Sequence, residues 1–238
     1  MASILNIETA TPLCSVALSN NGKVIAQRES LEEKSHASHL ATFIEELLNE
    51  NRLKISDLDA IAVGKGPGSY TGLRIGVSVA KGLCFGSNLP LIAISTLKII
   101  YNQAITSDDP VIQEALKSRD TLICPMIDAR RMEVFTCMYT ISGEIVEGVT
   151  AKIIDAGSFS QHLLRQKVIF LGSGMDKCRE VLAHTHAVFA SGIYPHASSL
   201  ALLSEQAFRE QHFEDTAYFE PFYLKDFIAT VPKKGLSV

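Results

Sequence analysis

Between Gly64 and Gly76 the sequence reads GKGPGSYTGLRIG. Gly66, Gly68, Ser69 and Thr71 could offer backbone N–H groups and hydroxyls to an anion, and Arg74 would add charge one turn further on. The first N–H groups of a helix lack intrahelical partners, so a glycine turn between a strand and a helix is a ready phosphate site. The established signatures fail, however. A P-loop needs Lys-Ser or Lys-Thr after its last glycine, and a dinucleotide fingerprint spaces its glycines differently. Two readings stay open from these residues: an anion cradle, or a structural turn with Gly68 at the positive φ that suits glycine.

Other groups offer less. A kinase would need one acid for a metal and another as a base, and Glu8 and Asp128, each in an extended run, are the acids so placed. His36 and His39 stand three apart at a helix start, but no nearby carboxylate or cysteine completes a metal shell, so they read as solvated polar residues. His184 and His186 read as loop residues. Ser173 lies between a strand and a helix without the G-x-S-x-G elbow, and its turn could touch an adenine or be a plain turn. Cys14, Cys84, Cys124, Cys137 and Cys178 form no CxxC pair and are expected to be buried, reduced thiols. No metal site is expected.

These groups need elements that end together. Ser3–Ala10 is an extended run, and residues 15–19 and 23–29 flank Asn-Asn-Gly as a hairpin. Ser35–Arg52 predicts a helix, with Leu40, Phe43, Ile44, Leu47 and Leu48 at 3.6-residue spacing. A strand over 59–64, a helix over Tyr70–Phe85, a strand over 90–95 and a helix over Leu97–Ile105 complete the first half. The second half repeats the order, with strands over 121–128, 133–142 and 144–153 and a helix near Phe159–Gln166. A strand over 167–172, a helix near Lys177–Ala183, a strand over 186–191 and a helix over Ser198–Gln211 follow. Residues echo as well: IETATPLCSVALSNNGKVI from Ile7 aligns with IDARRMEVFTCMYTISGEIV from Ile127. The expected fold is therefore α/β, with two tandem lobes of the actin/Hsp70/sugar-kinase type, each a mixed five-stranded sheet flanked by helices. Residues 1–105 form the first lobe and 106–214 the second, joined at Thr106–Pro110, and 215–238 form an aromatic tail packing back on the body.

The helix over Tyr70–Phe85 is apolar on nearly every side. Leu73, Val77, Ala80 and Cys84 make one stripe; Gly72, Gly76, Val79 and Leu83 make another. Such a helix needs cover on both faces, and Gly72 and Gly76 would let a second helix come close. Leu40, Phe43 and Leu47 of the neighbouring helix join Gly72, Leu73, Gly76, Val77, Val79, Ala80 and Leu83 as the expected partner-facing set. A formal net charge of −4 gives no overall basic footprint for nucleic acid. With no apolar run near the ~20 residues of a membrane span and no signal-like N-terminus, a cytoplasmic protein is expected.

GKGPGSYTGLRIGVSVAKGL, ILNIETATPLCSVAL, DLDAIAVG, IDARRMEVF and the late YLKD together resemble the TsaB (YeaZ) family, from Ile4 to about Lys225. The resemblance implies a non-catalytic scaffold or activator for TsaD, which forms threonylcarbamoyladenosine at position 37 of tRNAs reading ANN codons. It implies pairing with TsaD through the two first-lobe helices, work alongside the ATPase TsaE, and homodimers through the same surface when alone. Contact with tRNA would be indirect, and ATP or ADP and metal would reside in the partner proteins, with no cofactor in this chain. The TsaD metal pair H-x-x-x-H is missing, and Glu8 stands where many relatives have Asp. By the resemblance the glycine loop is an inherited turn that launches an interface helix. An ATP-dependent kinase or ATPase of the same fold is the alternative.

Overall fold

The computed structural model describes residues 2–31 and 36–225. Ser35 and the tail beyond Lys225 lie outside the described residues. The first lobe runs β1 (Ser3–Glu8), β2 (Cys14–Asn20), β3 (Lys23–Ser30), α1 (His36–Glu50), β4 (Ala60–Gly66), α2 (Tyr70–Ser87), β5 (Leu91–Ser95) and α3 (Thr96–Ile105). After α4 (Pro110–Leu116) come β6 (Leu122–Asp128), β7 (Glu133–Thr140), β8 (Ile145–Ile153), α5 (Ser160–Leu163), β9 (Val168–Leu171), β10 (Ala187–Ala190) and α6 (Ala201–Arg209).

The two sheets have one topology. The first is ordered β3-β2-β1-β4-β5 and the second β8-β7-β6-β9-β10. In each, the opening three strands are antiparallel and the last two run parallel to the first. This is the expected actin/Hsp70/sugar-kinase-like pair of mixed five-stranded sheets. Asn21 and Gly22, with φ of 49° and 73°, make the tight β2–β3 turn that the right-handed strand twist favours.

The helices are shared between the sheets more than a division at residue 105 suggests. On one face of the first sheet, Leu5, Ile7, Val16 and Leu18 pack against Leu40, Ile44 and Leu47 of α1 and Val77 and Ala80 of α2. On its other face, Ile4, Ala60, Ala62 and Ile92 meet Ile99 of α3 together with Leu200 and Ala207 from the α6 region. Leu97, Ile100, Tyr101 and Ala104 of α3 pack instead with Ile123, Phe135 and Ile169 of the second sheet. Thus α3 is sandwiched between the sheets, and α6, placed in the second lobe by sequence, covers the first. Strand alternation and amphipathicity report that a face is apolar, not which sheet it will meet.

Three local expectations change. The joint expected over Thr106–Pro110 leads directly into a helix, α4: Asp109 caps it by accepting from the N–H groups of Val111 (2.8 Å) and Ile112 (3.2 Å), and Pro110 sits where its missing N–H costs nothing. The helix expected over Lys177–Ala183 is a single 3₁₀ turn, Asp176–Cys178, and that near Phe159–Gln166 shrinks to α5. Residues 215–225 of the tail fold back, with the Phe222 N–H donating to Lys65 O at 2.7 Å and Lys81 Nζ donating to Phe219 O at 2.8 Å. All five cysteines are free and buried, as expected. Among the described residues no helix is long and apolar enough to cross a membrane.

Two buried polar bonds fasten the α6 region to the first sheet. Ser204 Oγ donates to Asn6 Oδ1 at 2.7 Å, and the Ala197 N–H donates to Ser15 Oγ at 2.8 Å. Ser204→Ala would leave a buried amide oxygen without this donor, so it should lower unfolding free energy by about 1–3 kcal/mol in urea titrations. An unchanged midpoint would show that the α6 contact does not hold the first sheet.

Candidate functional site

The glycines of the opening motif do face something at close range: the chain's own β1–β2 turn. A Cβ on Gly64 would lie 2.0 Å from Glu8 Oε2; on Gly68, 2.3 Å from Ala10 O; on Gly72, 2.1 Å from Thr9 O; and on Gly76, 2.2 Å from Thr9 Oγ1. None of these separations is sterically possible, so residues 8–10 run along a track that only glycine leaves open. Hydrogen bonds fix the fit. The Ser69 N–H donates to Ala10 O at 2.7 Å, and Thr9 Oγ1 donates to Gly72 O at 2.8 Å.

Part of the loop's donor set is thereby spoken for. Ser69 caps α2, its Oγ accepting from the Gly72 N–H at 3.2 Å, and Asn88 closes the helix in the left-handed region. Thr71 is exposed, and the Arg74 guanidinium lies 4.4 Å from the centre of the Tyr70 ring. Gly66, with φ of 103°, is the residue of this turn at positive φ; Gly68 is not. Gly68 is required for space instead, because Ala10 occupies the position its side chain would take. Where a phosphate would approach the start of α2, Thr9 and Ala10 already sit.

Glu8 closes the end of the track. Its side chain is fully buried, the Ala10 N–H donates to Oε1 at 2.6 Å, and Oε2 has no hydrogen-bond partner. Burial pushes the carboxyl up from 4.5 to about 7, against the smaller opposing pull of the Ala10 and Thr9 N–H groups. Asp128 differs: it is exposed, pairs with Lys177, and accepts the Arg130 N–H at 2.8 Å. The Asp128 N–H in turn donates to Ser173 Oγ at 3.2 Å, so Ser173 serves the end of β6. Among the described residues no group of His, Cys, Asp and Glu side chains is placed to hold a metal ion. His36 is not simply solvated, since its Nε2 lies 2.8 Å from Thr11 O, and His39 packs its ring on Phe43. His186 Nδ1 contacts Leu163 O at 2.8 Å.

The expected partner-facing set divides. Leu40, Leu47, Gly72, Leu73, Gly76, Val77 and Ala80 are buried within the chain itself and have no side chain to give a partner. Phe43, Val79 and Leu83 remain half-buried on the outer rim. Phe85, 89% exposed, extends that rim, and Cβ atoms added at Gly82 or Gly86 would meet nothing within 4 Å. Sequence reasoning missed Phe85, and also Thr9 and Ala10. The four-residue spacing of Gly64, Gly68, Gly72 and Gly76 was the available signal, but it does not say what fills the groove.

Two predictions separate track from rim and test the acid. Gly72→Ala and Gly68→Val should each destabilise by about 1–3 kcal/mol through overpacking. Gly82→Ala and Gly86→Ala, in the same helix, should stabilise by about 0.5–1 kcal/mol. Equal effects in thermal melts would refute the track. For Glu8, the folded pKa lies above the unfolded one, so its contribution is fully present below pH 4.5 and is lost as pH rises to about 7. The loss is on the order of 3 kcal/mol. Relative to wild type, Glu8→Gln should gain stability between pH 5 and pH 8 in urea unfolding. Parallel pH profiles would mean that Glu8 does not titrate there.

Known proteins of the same shape and sequence place the chain. The family model described as TsaD, tRNA N6-adenosine threonylcarbamoyltransferase, matches residues 24–233. The tRNA threonylcarbamoyladenosine biosynthesis protein TsaB of Escherichia coli K12 is 31% identical over 234 residues, covering 95% of this chain and 96% of that protein. Its Bacillus subtilis 168 namesake is 34% identical over 147 residues, 62% of this chain and 59% of that protein. In structure, YeaZ from Pseudomonas aeruginosa is 27% identical and superposes with a TM-score of 0.78 over 94% of this chain and all of that one. Sequence similarity along almost the whole length and the same doubled sheet agree: the chain belongs to the TsaB (YeaZ) family.

Proposed function

We propose that this protein acts in the formation of threonylcarbamoyladenosine at position 37 of tRNAs reading ANN codons, as a non-catalytic partner of a TsaD-type transferase. The observation that carries this reading is the occupied glycine track. A strand–turn–helix junction offers its first free N–H groups to a phosphate; here Thr9 and Ala10 fill it and a buried Glu8 closes it. A kinase or ATPase reading loses its first acid by the same geometry, since Glu8 has its exit blocked by Gly64 and Ala10. ATP or ADP and metal then belong to the partners, the TsaD-type subunit and a TsaE-type ATPase.

The partner surface is the outer rim of α1 and α2, from Phe43 through Val79 and Leu83 to Phe85. A large apolar side chain as exposed as Phe85 beside two open glycines is costly in water and suits a helix laid against it. The same rim serves self-association when the chain is alone.

Co-purification with the TsaD-type subunit is the deciding experiment. Val79→Asp with Phe85→Asp should keep the circular dichroism spectrum and melting profile, elute as a monomer and lose the partner. The penalty for burying an unpaired carboxylate is several kcal/mol. Folded variants that still bind would place the interface elsewhere. Alone, the protein should show no melting shift with ATP and magnesium, whereas a ligand at 100 times its dissociation constant would add about 2.7 kcal/mol. Such a shift would revive the kinase reading.

A further inference from the structure

We propose that the β6–β7 turn and the aromatic tail beside it form a direct contact for an RNA strand, with Arg130, Arg131 and Arg74 on phosphates and the rings of Phe222 and Tyr223 against bases. This rests on the function proposed above, which brings a tRNA to the complex containing this chain.

The turn itself is the first observation. Arg130 and Arg131 have φ of 70° and 49°, both in the left-handed region. The turn is closed by the Ala129 N–H on Glu133 O and the Glu133 N–H on Arg130 O, both at 3.1 Å. Hairpins of this hand take Asn and Gly at such positions, as this chain does at Asn21–Gly22. Two adjacent arginines are held there against backbone preference, and strain kept at an exposed turn points to what the side chains do outside it. Both are exposed, and among the described residues neither has a carboxylate partner.

The second observation is the continuity of the surroundings. Lys177 pairs with Asp128 and donates to Glu133 O at 2.7 Å; Lys225 pairs with Glu133. Two residues before Lys225, the Tyr223 ring lies 4.7 Å from Tyr70, which carries the Arg74 guanidinium on its face. Phe222 next to it is 43% exposed. Of these five cationic side chains Lys177 and Lys225 pair with carboxylates, on a chain whose overall charge is −4. The matching β1–β2 turn of the first lobe is uncharged and sealed in the glycine track, so the fold does not require charge here. Cations alone would suit an acidic peptide equally well; a tyrosine pair carrying a guanidinium, with an exposed phenylalanine beside it, favours unpaired bases with their phosphates.

The test uses the complex with the TsaD-type subunit and a fluorescent transcript of an ANN-reading tRNA. Arg130→Asn with Arg131→Gly should raise the melting temperature by relieving the turn, yet weaken tRNA binding about tenfold, while the partner is retained. The slope of log affinity against log salt should shrink by about 1.4, two phosphate contacts at ~0.7 each. Arg74→Gln, which leaves the turn untouched, should shift affinity in the same direction. Unchanged affinity and slope in both variants would overturn the inference and leave the proposed function standing. Tighter binding of labelled poly-glutamate than of tRNA would assign the surface to an acidic protein segment and overturn it too. If no TsaD-type partner is retained by the wild type, the proposed function fails, and the same variants measured on this chain alone decide the RNA contact.

Discussion

The passage of residues 8–10 along Gly64, Gly68, Gly72 and Gly76 is the constraint on which the first lobe depends. It sets how closely α2 lies over the sheet, because the backbone of Thr9 reaches the helix axis side at distances no Cβ would permit. That closeness turns Val77, Ala80 and Cys84 onto the apolar face of β1, β2 and β4. It also buries Glu8 without a second partner, a cost tolerated because the group can bind a proton at about neutral pH instead of carrying charge. One close approach therefore governs helix position, core composition and the protonation of the first-strand acid.

Much of this was legible in the sequence, but unevenly. The Asn-Gly turn, the amphipathic α1 and the doubled strand order follow from turn chemistry and periodicity, which are local. The direction of the glycine stripe on α2 was not legible, since Gly72 and Gly76 admit either a partner helix or the chain's own backbone, and both read alike in one sequence. The exchange of α3 and α6 between sheets was hidden for a related reason: α3 is apolar on two sides, Ile99 toward one sheet and Ile100 toward the other. The missed α4 is different. Asp109 and Pro110 are a cap and a first-turn proline, and were read as a joint because the same residues also mark turns. For the candidate site, the residue types are legible and their roles are not: the loop with the donors for an anion receives Ala10 O.

The two lobes show how one topology can be put to different uses. After β4 the chain builds an 18-residue helix over the hairpin turn; after β9 it makes Gly172, Gly174 and a single 3₁₀ turn. Without a long helix above it, the β6–β7 turn stays in solvent and can display Arg130 and Arg131. The first lobe seals its turn and gains an apolar rim on α2; the second leaves its turn open and gains charge. Surface chemistry thus follows from the length of one helix in each repeat.

This asymmetry also bears on the proposed role of the chain as a partner without turnover of its own. Phosphate chemistry in a two-lobed protein needs open loops at the strand ends of both lobes, so that charge develops between fixed donors. Here the first-lobe loop has its Ser69 N–H committed to Ala10 O and its Gly72 N–H to Ser69 Oγ, and burial pushes its acid up to about 7. The energy invested in that packing makes α2 a rigid platform, with Ser69 and Asn88 fixing its ends. A helix held at both ends with an apolar rim loses little conformational freedom on docking, which suits the partner role proposed above. The residues that fill the glycine track are therefore the same ones that fix α2 with its outer face, Val79, Leu83 and Phe85, turned away from the sheet.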